Sequence, residues 1–533
     1  MRKVIIVLIL LSLGFSALVF SYSGKIVHEI PAPYKRSTGL TFDGKHLWVA
    51  DYQKHLLICV NPKTGEKVKE IPSPGLWPLG LAWDGSHLWN IDKYQRRIFK
   101  IDPDNGTILA TIGTPSGSSE GLTWDGNTLW VTDSRSDEIM KIDLSDGTAV
   151  KTFSAPDSDI RGITYDGTYF WCTDRTKDEI YMVDPDNGEV IIITDAPGPF
   201  TRGITWDGQY LWNVDYQTNT IYQLVSRDNE LYTLKDTRKA KITVTHTARI
   251  FGDGNLHNLD VYFALPEDNP AQKILSKFFN PESYTVVKDR WNQPFARFQY
   301  QNEASEAALQ SIMTVEAEVS AISYFIYPDK CGTLKDIPKK IRDDYTADGS
   351  KYQINDPYMQ NLAKEIVGDE KNPYWIARKI FDHVRKTLEY KLEGGWNTAP
   401  VVLKRGTGSC SEYSFCFIAL CRAAGLPARY VGSIVVRGDD ACLDGVFHRW
   451  PQVYFPNYGW IHMDPQGGDK PKPRDRAMYI GHLSNRFLIT TQGGGDSEYM
   501  GWYYNTDEKY TTDPQVRVEI DSYGEWEPLE DGE

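Results

Sequence analysis

Five times in the first 230 residues the same alternation of apolar and polar positions returns. The segments TFDGKHLWVAD, AWDGSHLWNID, TWDGNTLWVTD, TYDGTYFWCTD and TWDGQYLWNVD place Asp43, Asp84, Asp125, Asp166 and Asp207 at a constant spacing of 41 residues. Each unit reads as four short strands. A first strand runs into an Asp-Gly turn, and the Leu-Trp strand follows. Then come a third strand such as RRIFKIDP, an Asn-Gly or Asp-Gly turn, and a fourth such as TILATI. Four strands in about 40 residues is the pattern of a propeller blade. The fifth unit stops near Val225 without its fourth strand, whereas GKIVHEIPAP at the start matches GEKVKEIPSP between units one and two. An N-terminal strand donated to the last unit leaves no open edge. The pattern therefore predicts a five-bladed β-propeller over 24–228.

From 229 to 334 the alternation continues without helical period, in KITVTHTARI, HNLDVYFAL, SYTVVKD, PFARFQY and TVEAEVSAISYFI. This predicts a β-sandwich. The period then changes. DPYMQNLAKEIVG opens on an Asp cap, and NPYWIARKIFDHVRKTLEY has apolar positions at Ile376, Ile380, Val384 and Leu388. In GTGSCSEYSFCFIALCRAAGLPARY a loop leads into a helix from Cys410 to Ala424, ended by Gly425 and Pro427. Strands ARYVGSIVV, HRWPQVYF and GWIHMDP follow. The expectation is an α+β domain over 335–495, helices before sheet, then a C-terminal β extension over 496–533.

Composition narrows the partners more than the fold. A chain of 533 residues exceeds one core, so three or more domains are expected. A net charge of −14 argues against nucleic acid as a partner. At the N-terminus, Arg2 and Lys3 precede an apolar run over 4–20, and Ser21-Tyr22-Ser23 supplies small residues at a signal-peptidase spacing. A signal peptide over 1–23 and a secreted or extracytoplasmic protein follow, with a membrane partner only if this segment stays uncleaved as an anchor. Seven cysteines leave at least one thiol free. Cys59 and Cys172 fall in non-neighbouring repeats, and a pairing of Cys331 with Cys442 stays open.

The candidate chemistry lies in the α+β segment. Cys410 opens its helix, where unpaired N–H groups and the positive end of the dipole favour a thiolate. Cys416 and Cys421 lie further round and further down that helix and read as core thiols. A thiolate needs a base and a group to orient it. If Tyr454 pairs with Trp460, strand parity puts His448 and Asp464 on one face, a diagonal step apart; His462, of matching parity, competes for the same role. In the repeats, the recurring Asp and Trp read as turn and packing residues. The varying positions Tyr52, Tyr94, Arg135, Arg161, Arg175, Arg202 and Tyr216 should gather at one mouth of the ring. Such a mouth suits recognition of a protein or glycan, or docking onto the catalytic domain. No metal or cofactor is called for.

GSCSEYSFCFIALCRAAGLPARYV followed by HRWPQVYFPNYGWIHMDP resembles the core of the transglutaminase-like superfamily, relatives of the papain-type cysteine proteases. The residues that carry this include Gly408, Cys410, Glu412, Tyr413, Arg422, Pro427, His448, Trp450, Trp460 and Asp464. The resemblance covers 335 to about 475, and the preceding segment looks like the β domain that often accompanies such cores. It implies Cys410 as nucleophile, His448 as acid and base, and Asp464 as its orienter. The Cys410 N–H would be one oxyanion donor, and Trp396 or Asn397 would supply the other. Gln452 stands where many relatives carry an acid. The expected function is an exported cysteine enzyme acting on peptide or protein amides through a thioester. Hydrolysis by a protease or amidase is favoured over glutamine cross-linking; a non-catalytic propeller scaffold is the reading from another class.

Overall fold

The computed structural model describes residues 22–392, 396–436, 442–445 and 447–529. Residues 1–21, which hold most of the expected signal, lie outside them. The chain is mostly β, and its repeats form five four-stranded antiparallel sheets. The first sheet takes Ser37–Phe42, Leu47–Asp51, Leu56–Val60 and Lys67–Pro72. In the fifth, the fourth place is filled by Ile26–Pro31, with Ile30 opposite Ile221. Consecutive sheets meet along their first strands. There a Cβ added at Gly39, Gly80 or Gly162 would lie within 2.6 Å of a backbone oxygen of the next sheet, and one at Gly203 would lie 2.6 Å from Leu40 N in the first. Only a residue without Cβ allows this approach.

The repeated Asp and Trp are explained by one bond made five times. Trp48 Nε1 donates to Asp43 at 2.8 Å, and Trp89–Asp84, Trp130–Asp125, Trp171–Asp166 and Trp212–Asp207 repeat it. The other carboxylate oxygen of Asp43 accepts from the turn N–H groups of Lys45 and His46.

The sandwich draws on distant parts of the chain. One sheet orders Gln272–Asn280, Ala308–Tyr324, Tyr232–Phe251, Arg517–Pro528 and Cys442–Asp444; the other orders Thr285–Lys288, Pro294–Ala304, Asn255–Ala264 and Thr506–Thr512. Val244, Leu259, Phe298, Val315 and Trp526 fill the space between. The segment 496–533, read above as an extension, thus gives a strand to each sheet, with Ile242 opposite Trp526 and Tyr262 opposite Asp507.

In the α+β core, helices Pro357–Val367, Pro373–Thr387 and Ala399–Arg405 surround helix Cys410–Ala423. The sheet beside them orders Gly459–His462, His448–Phe455, Ala428–Val435 and Phe487–Gly493. Asp356 and Asn372 cap the first two helices by accepting from Tyr358 N and Tyr374 N. Phe415, Cys416, Phe417, Ile418 and Leu420 are fully buried, so this helix runs through the core and is enclosed on all sides. Against the repeats, the core is held by Glu189, whose carboxylate accepts from Arg378 and Arg476, and by Arg474 on Glu179.

Candidate active site

Cys410 is the first residue of its helix, and Glu412 fixes the chain on either side of it. The buried Glu412 carboxylate accepts from Ser409 N at 3.1 Å, from Asn397 N at 2.9 Å and from Arg405 Nη2 at 3.0 Å. His448 begins the neighbouring strand. Tyr454 pairs with Trp460, the register on which the parity argument rests. Beyond the strand end, Met463 N donates to Pro451 O and Asp464 N to Tyr479 O, which sets Asp464 beside the imidazole. His448 Nε2 and Asp464 Oδ2 are 2.9 Å apart, while Asp464 Oδ1 accepts from Gln466 N and Gly467 N at 3.1 and 3.0 Å. With Nε2 engaged, Nδ1 is the nitrogen left to face Cys410, and the thiol and imidazole act on each other's charge state.

The electrostatics of the pair oppose each other. Burial works to raise the Cys410 thiol, but the bond to His448 and the charges of His448 and Arg449 carry it below its ordinary value. Burial works to lower His448, yet the Asp464 charge and hydrogen bond, helped by Cys410, raise it to about 10. Both shifts favour the thiolate–imidazolium form of the pair. The other thiols behave differently: burial pushes Cys416 and Cys421 well up. Cys331 is a free buried thiol, so the pairing left open for it does not form.

His462 is set apart from this pair. Its Nδ1 accepts from Trp450 Nε1 at 2.8 Å, and burial pushes it down to about 3. Of the two oxyanion candidates, Asn397 has its N–H committed to Glu412, which removes it as a backbone donor. Trp396 borders a cavity of about 420 Å³ with Cys410. A second cavity of about 310 Å³ is bordered by His448 and Asp464, so the pair stands between the two. Sequence reasoning passed over Arg449. It is fully buried, its guanidinium lies 4.3 to 5.3 Å from the ring centres of Tyr504, Tyr430, Trp396 and Phe415, and it donates to Trp502 O.

The structure brings together five of the seven varying repeat residues. Tyr52 and Tyr216 stack at 6.4 Å with their hydroxyls 3.1 Å apart, and Arg202 lies over Tyr216. Arg161 and Arg202 reach buried Glu120, and Arg161 and Arg175 reach Asp159. Tyr94 is 70% exposed, and Arg135 is exposed too. Among the described residues, Asp43, His46 and Cys59 bring potential metal-ligand atoms within 4.8 Å of one another. Asp43 is already bonded to Trp48 and its turn, as its counterparts are in every repeat.

Residues 360–465 match the family model of the Transglutaminase-like superfamily, so the domain built around Cys410 is transglutaminase-like. Over 92 residues the chain is 32% identical to a peptide-N(4)-(N-acetyl-beta-glucosaminyl)asparagine amidase of Macaca fascicularis, a match to 17% of this chain and only 12% of that protein. An uncharacterized protein of Haemophilus influenzae is 21% identical over 305 residues, 51% of this chain and 80% of its own length. Among solved structures, a Cytophaga hutchinsonii protein assigned as a cysteine protease superposes with a TM-score of 0.40 at 18% identity, covering 55% of this chain and 93% of that one. The family match and the amidase likeness put the domain in a class of cysteine hydrolases and transglutaminases.

Proposed function

We propose that the protein is an exported cysteine enzyme that cleaves peptide or protein amides through a thioester on Cys410. The observation that carries this reading is the His448–Asp464 bond at 2.9 Å joined electrostatically to Cys410, with the thiol lowered and the imidazole raised. The thiolate attacks the carbonyl carbon, and the negative oxygen is met by the Cys410 N–H at the helix start and by the Trp396 N–H. The C–N bond then breaks as the His448 imidazolium gives its proton to the departing amine. Water enters, His448 takes its proton, and the thioester breaks to release an acid and restore the thiolate. Asp464 holds the ring throughout. A lysine amine in place of water would give a cross-link from the same intermediate; the amidase likeness supports hydrolysis.

The five sheets are read as a closed five-bladed propeller over 24–228, supported by the donated strand Ile26–Pro31 and the approach of Gly203 to Leu40. Its mouth, where Tyr52, Tyr216, Arg161, Arg175 and Arg202 meet, is assigned to recognition of a macromolecular substrate. The test of the enzyme reading is labelling with iodoacetamide at pH 6 followed by peptide mapping, with turnover of a proteome-derived peptide pool measured by mass. Rapid labelling confined to Cys410, and products lost in Cys410→Ser, are expected. A Cys410 as slow as the core thiols would leave the domain a structural remnant and overturn the reading.

A further inference from the structure

The cavity beside Cys410 has two walls of different character. Leu392, Trp396, Tyr503 and Ile520 give it an apolar side, and Leu392 and Tyr503 are 67% and 54% exposed at its rim. Asp507 and Glu508, the second and third residues of strand Thr506–Thr512, supply acid to the same cavity. Among the described residues no lysine or arginine nitrogen lies within ion-pair distance of either carboxylate. Lys509, whose ammonium donates to Glu498 O, acts on Asp507 only from beyond that distance, and beside Glu508 stands His246, whose Nε2 is 3.7 Å from Oε2. That imidazole is 1% exposed, bonds Ser522 Oγ through Nδ1 at 2.8 Å, and has no partner at Nε2. Burial holds it down at about 4, so it is neutral and does not offset the acids. Burial and then the neighbouring Glu508 hold Asp507 up at about 7, and burial raises Glu508 too. Two half-buried carboxylates with no cation paired directly to them among the described residues, beside an imidazole nitrogen without a partner, form a place that a positive group would complete.

We propose that this cavity is a substrate subsite that takes a lysine or arginine side chain, with the apolar side covering its aliphatic stem and Asp507 and Glu508 receiving its charged end. The division of the walls, apolar on one side and acidic on the other, suits such a side chain. Because the cavity includes Cys410, the occupant would be a residue next to the amide that is cleaved. The inference rests on Cys410 being the nucleophile, and it deepens that reading by giving the substrate a charge.

Thiol reagents that differ only in charge test it without turnover. Intact protein is treated with aminoethyl, methyl and sulfonatoethyl methanethiosulfonate, and labelling of Cys410 is followed by peptide mapping. The cationic reagent should react on the order of tenfold faster than the neutral one, and the anionic reagent more slowly. In Asp507→Asn with Glu508→Gln the ratio of cationic to neutral rates should fall to about one, and Asp507→Lys should favour the anionic reagent. Peptides carrying lysine or norleucine beside the labile amide should show the same preference in KM. Equal rates for the three reagents in the wild-type protein, with Cys410 labelled by all, would overturn the subsite and spare the nucleophile. Failure of every reagent at Cys410 would overturn the nucleophile and the subsite with it.

Discussion

Replacing Asp464 by Asn tests the electrostatic account at its centre. Asp464 Oδ2 faces His448 Nε2 at 2.9 Å, and Oδ1 accepts from two backbone N–H groups. An amide at this position has one acceptor oxygen, and the two backbone donors will claim it. Its NH2 then faces Nε2, which must accept, so the ring is held with its proton on Nδ1 toward Cys410. That is the wrong tautomer for a base. The charge is lost as well. Two unit charges at this separation interact by roughly 6 kcal/mol at an effective dielectric near 20. With side chains 16% and 14% exposed, solvent screening reduces this to about 3 kcal/mol, roughly two pKa units.

The expected result is a fall in turnover of roughly 10²–10⁴, smaller than for Cys410→Ser, and loss of the imidazolium, seen as the alkaline limb of Cys410 alkylation, moved down by about two units. The pH window follows from the raised imidazole. Its folded value, about 10, lies above the ordinary one, near 6.5. Its stabilising contribution is therefore complete below the ordinary value and disappears as pH rises through about 10. The assay is the rate of iodoacetamide labelling against pH, read by mass, in both proteins. An unchanged alkaline limb in Asp464→Asn would refute the claim that Asp464 holds the imidazole charged.

Glu412→Ala strips the acceptor from two N–H groups and Arg405, and should cost about 3–5 kcal/mol in urea denaturation; a loss under about 1 kcal/mol would contradict the bonding described. Cys416→Ala and Cys421→Ala should keep Cys410 labelling and cost about 1 kcal/mol each through lost packing, and slowed labelling would mean that one of them supports the site. Glu189→Gln leaves Arg378 and Arg476 without their shared carboxylate and should lower the Tm of the intact protein. An unaltered melting curve would mean that this contact does not hold the core to the repeats. Arg161→Ala with Arg202→Ala should raise KM on a protein substrate and spare a small ester, and equal effects on both would reduce the repeats to a spacer.

The parts of the fold legible in the sequence are those whose partners are near in the chain. The 41-residue period, the turn at Asp43 and the hairpin that pairs Tyr454 with Trp460 are local. The Cys410 helix could be placed because its loop and its stop both flank it. The helix Ala399–Arg405 went unread: seven residues carry too little periodicity to announce one. Asn397 looked available as a donor because nothing in its own segment reveals that Glu412, fifteen residues on, takes its N–H. Arg449 sits in a strand between His448 and Trp450, and only the folded chain surrounds it with four rings. Asp507 and Glu508 were hidden for a stronger reason, since their strand pairs with residues about 250 positions earlier and alternation alone names no partner.

That long-range pairing also explains how the site is assembled. The sandwich takes strands from before the α+β core and after it, so the core is an insertion held at both ends by one sheet pair. Tyr232–Phe251 lies between Ala308–Tyr324 on one side and Arg517–Pro528 on the other, which ties the entry and exit of the core to a single strand. Helix Cys410–Ala423 supplies the thiol from inside the insertion, while the returning strand Thr506–Thr512 brings acid to the cavity next to it. The proposed reacting groups thus belong to the transglutaminase-like domain, and the residues that would choose a substrate belong to the scaffold around it. Chemistry and selectivity can then change independently, because a substitution at Asp507 alters the cavity wall without touching the bond between His448 and Asp464 or the helix start that carries Cys410.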